Sequence, residues 1–210
     1  MTGDEAKPDE RLRDLAGEWP VADRRDVFRA GLPFALRADR VRRPGHPEDE
    51  PFTRLVLEHP GAAVVLAMDD DDRVLCLRQY RHAARGTYVE LPAGLFDGDG
   101  EEPLAVAQRE LREEAGLRAD SWTPLASAFS SPGIVAERIH YFLARDVSES
   151  GRGDFALVHE EAEMEAFWVP FDDLHAAVLD GRVSNGPTLI AVLTCAAKGL
   201  HRRGSREGRL

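Results

Sequence analysis

The sequence predicts a mixed α/β fold with one helix inserted between two groups of strands. Three observations carry this. Apolar runs of strand length, some alternating and some continuous, fill the first half of the chain. Residues 103–115 have both a start and a stop signal for a helix, and two further helical patterns close the chain.

Taken in order, residues 1–18 are polar and lack apolar periodicity, so a mobile tail is expected there. Residues 26–30 and 34–41 alternate apolar and polar side chains on either side of Gly31-Leu32-Pro33, and 52–59 forms another half-buried strand. These three would make a small N-terminal antiparallel sheet over 19–60, with a turn at Arg43-Pro44-Gly45-His46-Pro47. Residues 62–68 are continuously apolar, as in a central strand. Asp69 to Asp72 then turn the chain, without the flanking ligands of a metal loop, and 74–80 returns as a strand.

Helix Pro103–Ala115 begins with proline at its first position and Glu101 and Glu102 at the positive end of its dipole. Gly116 stops it. Strands are expected near 125–129, 138–144 and 166–169, then helices over 171–179 and 187–198. Residues 61–200 form the main domain of this reading, and 201–210 a second polar tail.

Composition narrows the function. The 210 residues suffice for one domain with a real core, and 43% apolar with 31% charged residues fits a folded chain. There are 27 Lys and Arg against 38 Asp and Glu, a net charge of −11. That balance argues against nucleic acid or an anionic membrane as partner, but not against a small anionic substrate that is neutralised locally. Cys76 and Cys195 stand alone in apolar runs, as buried thiols in a reducing compartment would. No apolar stretch reaches the roughly 20 residues of a membrane span, and the first residues are acidic, so a cytoplasmic location is expected.

The segment that carries chemistry is LPAGLFDGDGEEPLAVAQRELREEAGL, residues 91–117. On a helix, Glu110, Glu113 and Glu114 share an arc of roughly 100° beside an apolar stripe of Leu104, Ala107, Leu111 and Ala115. Three carboxylates this close repel one another. A hard divalent cation, Mg²⁺ or Mn²⁺, would hold them, and a solvated acidic face is the other reading that geometry alone allows. Gly94, Gly98 and Gly100 upstream let backbone approach a ligand closely.

This segment resembles the signature of the Nudix hydrolases, G-x5-E-x7-R-E-U-x-E-E-x-G-U with U a bulky apolar residue. Glu101, Arg109, Glu110, Leu111, Glu113, Glu114, Gly116 and Leu117 match it in spacing. The departure is six residues between Gly94 and Glu101 in place of five, which the loop at 96–100 can absorb. Arg78-Gln79-Tyr80-Arg81, Glu90 to Gly94, and Pro132 sixteen residues past Gly116 are similar to the ADP-ribose pyrophosphatase branch.

The resemblance implies a Nudix α/β/α sandwich whose N-terminal β subdomain is exchanged across a homodimer. It implies Mg²⁺ bound by Glu110 and Glu114, with Glu113 and the Ala93 carbonyl contributing, and hydrolysis of ADP-ribose or a related nucleoside diphosphate sugar. Arg109 would orient a glutamate, and so would Glu101, unless Glu101 only complements the helix dipole.

Glu137 is the candidate general base, on a loop that would close over substrate. The plain reading of Glu137 is a surface glutamate starting a strand. The apolar Ile134-Val135-Ala136 before it raises a second possibility: if the loop packs down, Glu137 is misplaced, and Glu113 or a metal-bound hydroxide is the alternative. Arg81 and Arg54 are candidates for the diphosphate, Arg54 from the partner subunit, and Glu90 for the nucleotide end. Phe34 either stacks on adenine or belongs to the core. His59, His82, His140 and His159 show no ligand spacing, and Glu160, Glu161 and Glu163 read as a solvated run. The rivals are a Nudix hydrolase acting on other sugar nucleotides or nucleoside triphosphates, and a non-catalytic ADP-ribose sensor, which would be expected to lack some of these glutamates.

Overall fold

A computed structural model describes residues 11–29, 33–98, 100–153 and 163–202. His159, Glu160, Glu161, most of the two expected tails and Ala30 to Leu32 lie outside the described residues. Residues 11–18 are exposed and form neither strand nor helix.

The centre of the fold is β4 (Ala62–Ala67), buried at every position as its unbroken apolar run predicts. It lies between β7 (Ala93–Leu95), antiparallel to it, and β9 (Arg138–Glu149), parallel to it, with β8 (Leu117–Phe129) beyond β9. The period-two geometry of a strand sends alternate side chains of β4 into two separate cores. Ala62, Val64 and Leu66 pack with residues of α2 (Phe171–Leu179) and α3 (Gly186–Ala197). Ala63, Val65 and Ala67 pack with Val106, Ala107 and Leu111 of α1 (Pro103–Ala115). One sheet with helices on both faces is the α/β/α sandwich that the resemblance implied.

A second sheet runs β10 (Glu165–Pro170), β5 (Arg73–Arg81), β6 (Gly86–Glu90). The four aspartates before it do make a turn: Asp69 Oδ1 accepts from the amides of Asp71 and Arg73 at 3.0 and 2.8 Å. A third, N-terminal sheet runs β1 (Val21–Arg29), β2 (Ala35–Val41), β3 (Phe52–Glu58), all antiparallel. It is laced by ion pairs of Arg37 with Asp39 and Glu58, and of Arg29 with Asp26 and Glu58.

Several expectations need correction. β1 starts five residues before the expected 26 and is exposed along its whole length, so its alternation marks no buried face. β8 spans 117–129 and β9 reaches Glu149; only the ends of this long hairpin nearest the core carry a strong apolar pattern. β7 forms where the sequence reading has a turn into a glycine loop. His201 is not part of a tail: its ring stacks on Phe171 at 4.9 Å, while Leu200 O accepts from Arg145 at 3.1 Å.

Candidate active site

α1 obeys its sequence signals. Pro103 sits in the first turn, and Gly116 adopts φ 67°, returning its amide to the carbonyls of Arg112 and Leu111. Fixing both ends fixes the rotation of the helix. With Val106, Ala107 and Leu111 turned into the core, Glu110 and Glu114 face β7 and are themselves buried.

The strand end meets them closely. The Ala93 amide donates to Glu114 Oε2 at 2.9 Å. Gly94 lies so near Glu110 that an added Cβ would stand 2.0 Å from the Glu110 carboxyl carbon. The Glu110 carboxylate thus occupies the space that a side chain at Gly94 would take, without an unusual φ there.

Arg109 braces the cluster from behind. Its Nη1 donates to Glu110 Oε1 at 2.6 Å and lies 3.5 Å from Glu113 Oε2; its Nη2 donates to Leu95 O at 2.9 Å. Asp97 and Glu101 approach the same guanidinium at 3.2 and 3.6 Å. Burial pulls the Arg109 pKa down, and Glu110, Asp97, Glu101 and Glu113 together outweigh it, so the pKa is raised and the charge is held. Glu101 Oε2 also accepts from the Asp97 amide at 3.0 Å, which ties the lengthened loop to the start of the helix.

These carboxylates open into a cleft of about 650 Å³. Glu110, Glu113, Glu114 and Glu137 line it together with Phe34, His59, Arg81 and Glu90. An oxygen-only donor set of three helix carboxylates, two of them buried against backbone, fits a hard divalent cation better than a soft one. Among the described residues His46, Glu48 and Asp49 also lie close together, on the exposed turn between β2 and β3, where Asp49 pairs with Arg43.

A family model described as the NUDIX domain matches residues 57–190. The chain belongs to the NUDIX family. An ADP-ribose pyrophosphatase of Mycobacterium tuberculosis (strain ATCC 25618 / H37Rv) is 40% identical over 172 residues, 82% of this chain and 81% of that protein. A GDP-mannose pyrophosphatase of Yersinia enterocolitica is 32% identical over 146 residues, 67% of this chain and 75% of that protein. A solved structure described as an ADP compounds hydrolase superposes with a TM-score of 0.70 at 18% identity, over 90% of this chain and 98% of that one, a likeness of fold.

The remaining candidate residues differ in how they stand to the NUDIX cleft. Arg81 and Glu90 are not separate contacts but one ion pair: Arg81 Nη2 donates to Glu90 Oε2 at 2.6 Å and Nε reaches both carboxylate oxygens at 3.0 and 3.1 Å. Asn185 completes the buried Glu90 from α3 at 3.1 Å, and its own Oδ1 caps that helix through the Thr188 amide. Phe34 does line the cleft, but its ring packs on His59 at 4.9 Å.

Arg54 stands elsewhere. It lies over the Phe52 ring at 4.3 Å and lines a separate hollow of about 560 Å³ with Pro132, Ile134 and Phe129, so it does not reach this chain's own cleft.

Glu137 reaches the cleft although its loop packs down. Ile134 O accepts from the Leu57 amide at 2.8 Å and Leu57 O from the Ala136 amide at 3.0 Å, pinning the apolar run to β3. With the loop pinned in this way, Glu137 still lines the cleft.

Sequence reasoning missed His59, Asn185 and the buried Gln79, all of which line the cleft. Their local sequence carries no metal or nucleophile spacing, and only the fold brings them to the site.

Proposed function

We propose that this NUDIX enzyme hydrolyses the diphosphate of ADP-ribose to AMP and ribose 5-phosphate. The observation that carries the reading is that Glu110, Glu113, Glu114 and Glu137 line one cleft together with Phe34 and the Arg81–Glu90 pair. The ADP-ribose pyrophosphatase likeness over most of both chains supports the substrate. The complete set Glu101, Arg109, Glu110, Glu113 and Glu114 argues against a non-catalytic sensor.

Glu110 and Glu114, with Glu113 and the Ala93 carbonyl, would hold Mg²⁺ or Mn²⁺. When bound, the cation supplies positive charge against the diphosphate oxygens. The chain does the rest. Arg109 fixes the Glu110 rotamer, and the Ala93 amide fixes that of Glu114. Glu137 takes a proton from water as the water oxygen bonds to one phosphorus. The bond from that phosphorus to the bridging oxygen breaks, and the departing phosphate keeps its electron pair. Phe34 offers a ring face to adenine, and the Arg81–Glu90 pair presents a charged wall to the nucleotide end.

In this reading residues 19–60 form a β subdomain exchanged in a homodimer. The exposed Val21, Val27, Phe28 and Leu55 of the N-terminal sheet, with Trp19 just before it, support an apolar contact there. Arg54 then serves the partner's cleft. The GDP-mannose pyrophosphatase likeness favours other sugar nucleotides as the second reading.

The test is a screen of ADP-ribose, GDP-mannose, other sugar nucleotides and nucleoside triphosphates with Mg²⁺, products identified by mass. AMP and ribose 5-phosphate from ADP-ribose at the highest kcat/KM supports the proposal. A tenfold or greater preference for another substrate replaces it with the second reading.

A further inference from the structure

The neighbours of His59 give this residue, which has no metal or nucleophile spacing in sequence, a defined job. Leu57 of β3 pairs in parallel with Val135, so advancing two residues on each strand brings His59 beside Glu137. The contact is made: His59 Nε2 lies 3.3 Å from Glu137 Oε1, with the side chains only 11% and 20% exposed. On the other side of the ring, the Gly61 amide donates to His59 Nδ1 at 3.1 Å.

A backbone amide can only donate, so Nδ1 must be an acceptor and the proton of the neutral ring must sit on Nε2. That nitrogen is the one 3.3 Å from Glu137 Oε1. Burial lowers the His59 pKa, with the Glu137 charge opposing, which keeps the ring neutral near pH 7. Phe34 packs on the imidazole at 4.9 Å and closes its face.

We propose that His59 is a positioning residue for Glu137: a tautomer fixed by the Gly61 amide donates Nε2–H to Glu137 Oε1 and leaves Oε2 directed to the water. This rests on the reading of Glu137 as general base. The donor favours the ionised carboxylate, the form that accepts a proton. Unliganded catalytic hydrogen bonds are commonly long and shorten with substrate, as 3.3 Å allows.

Two variants separate the roles. His59→Asn keeps an acceptor near Nδ1 for Gly61 but has no atom at Nε2. His59→Gln places an amide donor near Nε2. With ADP-ribose and Mg²⁺, Asn should lower kcat about 10- to 100-fold with KM within about twofold, as loss of a supporting contact does, and Gln should stay within about fivefold of the parent. In a Glu137→Gln background, His59→Asn should cost nothing further.

Independently of turnover, the ¹⁵N spectrum of His59 at neutral pH should show the Nε2–H tautomer. That reading, with His59→Gln, decides the matter even where His59→Asn fails a melting test. An Nδ1–H tautomer, parental kcat in His59→Asn, equal losses in Asn and Gln, or an undiminished loss without Glu137 would each overturn the positioning role. Parental kcat in Glu137→Gln alone would instead overturn the base, and this inference with it.

Discussion

Gly94→Ala isolates the carboxylate cluster from the fold. The new methyl would begin 2.0 Å from Glu110 Cδ, 2.1 Å from Oε1 and 2.5 Å from Oε2, where ordinary contact starts near 3.4 Å. Backbone in β7 is paired to β4 through Ala63↔Gly94, so the flexible partner yields. Glu110 must move by more than about 1 Å, which also breaks its 2.6 Å contact with Arg109. A misplacement of about 1 Å at a catalytic site costs of the order of 100-fold, equivalent to about 2.7 kcal/mol of transition-state stabilisation. No core side chain is lost, so the melting temperature should fall by only a few degrees. The assay is ADP-ribose turnover against Mg²⁺ concentration, beside calorimetry. Gly98→Ala, where an added Cβ meets nothing within 4 Å, is the silent control. Parental turnover in Gly94→Ala, or equal losses in both variants, would refute the claim that Glu110 is held for function.

Three other expectations follow from the same structure. The protein should be a dimer by light scattering, and Arg54→Ala should raise KM for ADP-ribose severalfold; a fully active monomer would remove Arg54 from the site. Burial pushes Cys76 up to about 12 and Cys195 up to about 11, so neither thiol should react with an aromatic disulfide reagent at about pH 8 before unfolding; rapid native labelling would contradict their burial. The Arg29 hydrogen bond holds the Glu58 carboxyl below its ordinary range, with burial opposing and Arg37 reinforcing. A carboxylate with a depressed folded pKa contributes stability that is complete above its unfolded value of about 4.3 and is lost as pH falls through the folded one. Hydrogen-exchange protection relative to the intrinsic rate should accordingly fall in β1–β3 in acid before it falls in β4, and a uniform fall would contradict it.

What could be read from sequence depended on how local its cause was. α1 was legible to the residue because Pro103 and Gly116 mark its ends and the glutamates recur at i, i+3 and i+4. β4 was legible because a strand buried on both faces is apolar throughout. β1 was not, since a strand exposed on both faces gives its period no physical meaning within one chain. β7 was hidden because three residues around a glycine carry no pattern, and its need for Gly94 arises from Glu110, sixteen residues away. The same limit applies to the cleft. Glu137 could be nominated from its loop, but its orientation depends on Leu57 pinning residues 134–136. His59 owes its place entirely to that parallel register, and Arg81 and Glu90 show themselves as one unit only once β5 and β6 pair.

The central claim is that buried helix carboxylates in this cleft drive hydrolysis of the ADP-ribose diphosphate. Glu114→Gln tests it most directly, because glutamine still accepts the Ala93 amide while losing the negative charge. With ADP-ribose and saturating Mg²⁺, the parent should release AMP and ribose 5-phosphate, and the variant should be slower by about two orders of magnitude or more at an unchanged melting temperature. Near-parental release of the same products by the folded variant would contradict the account.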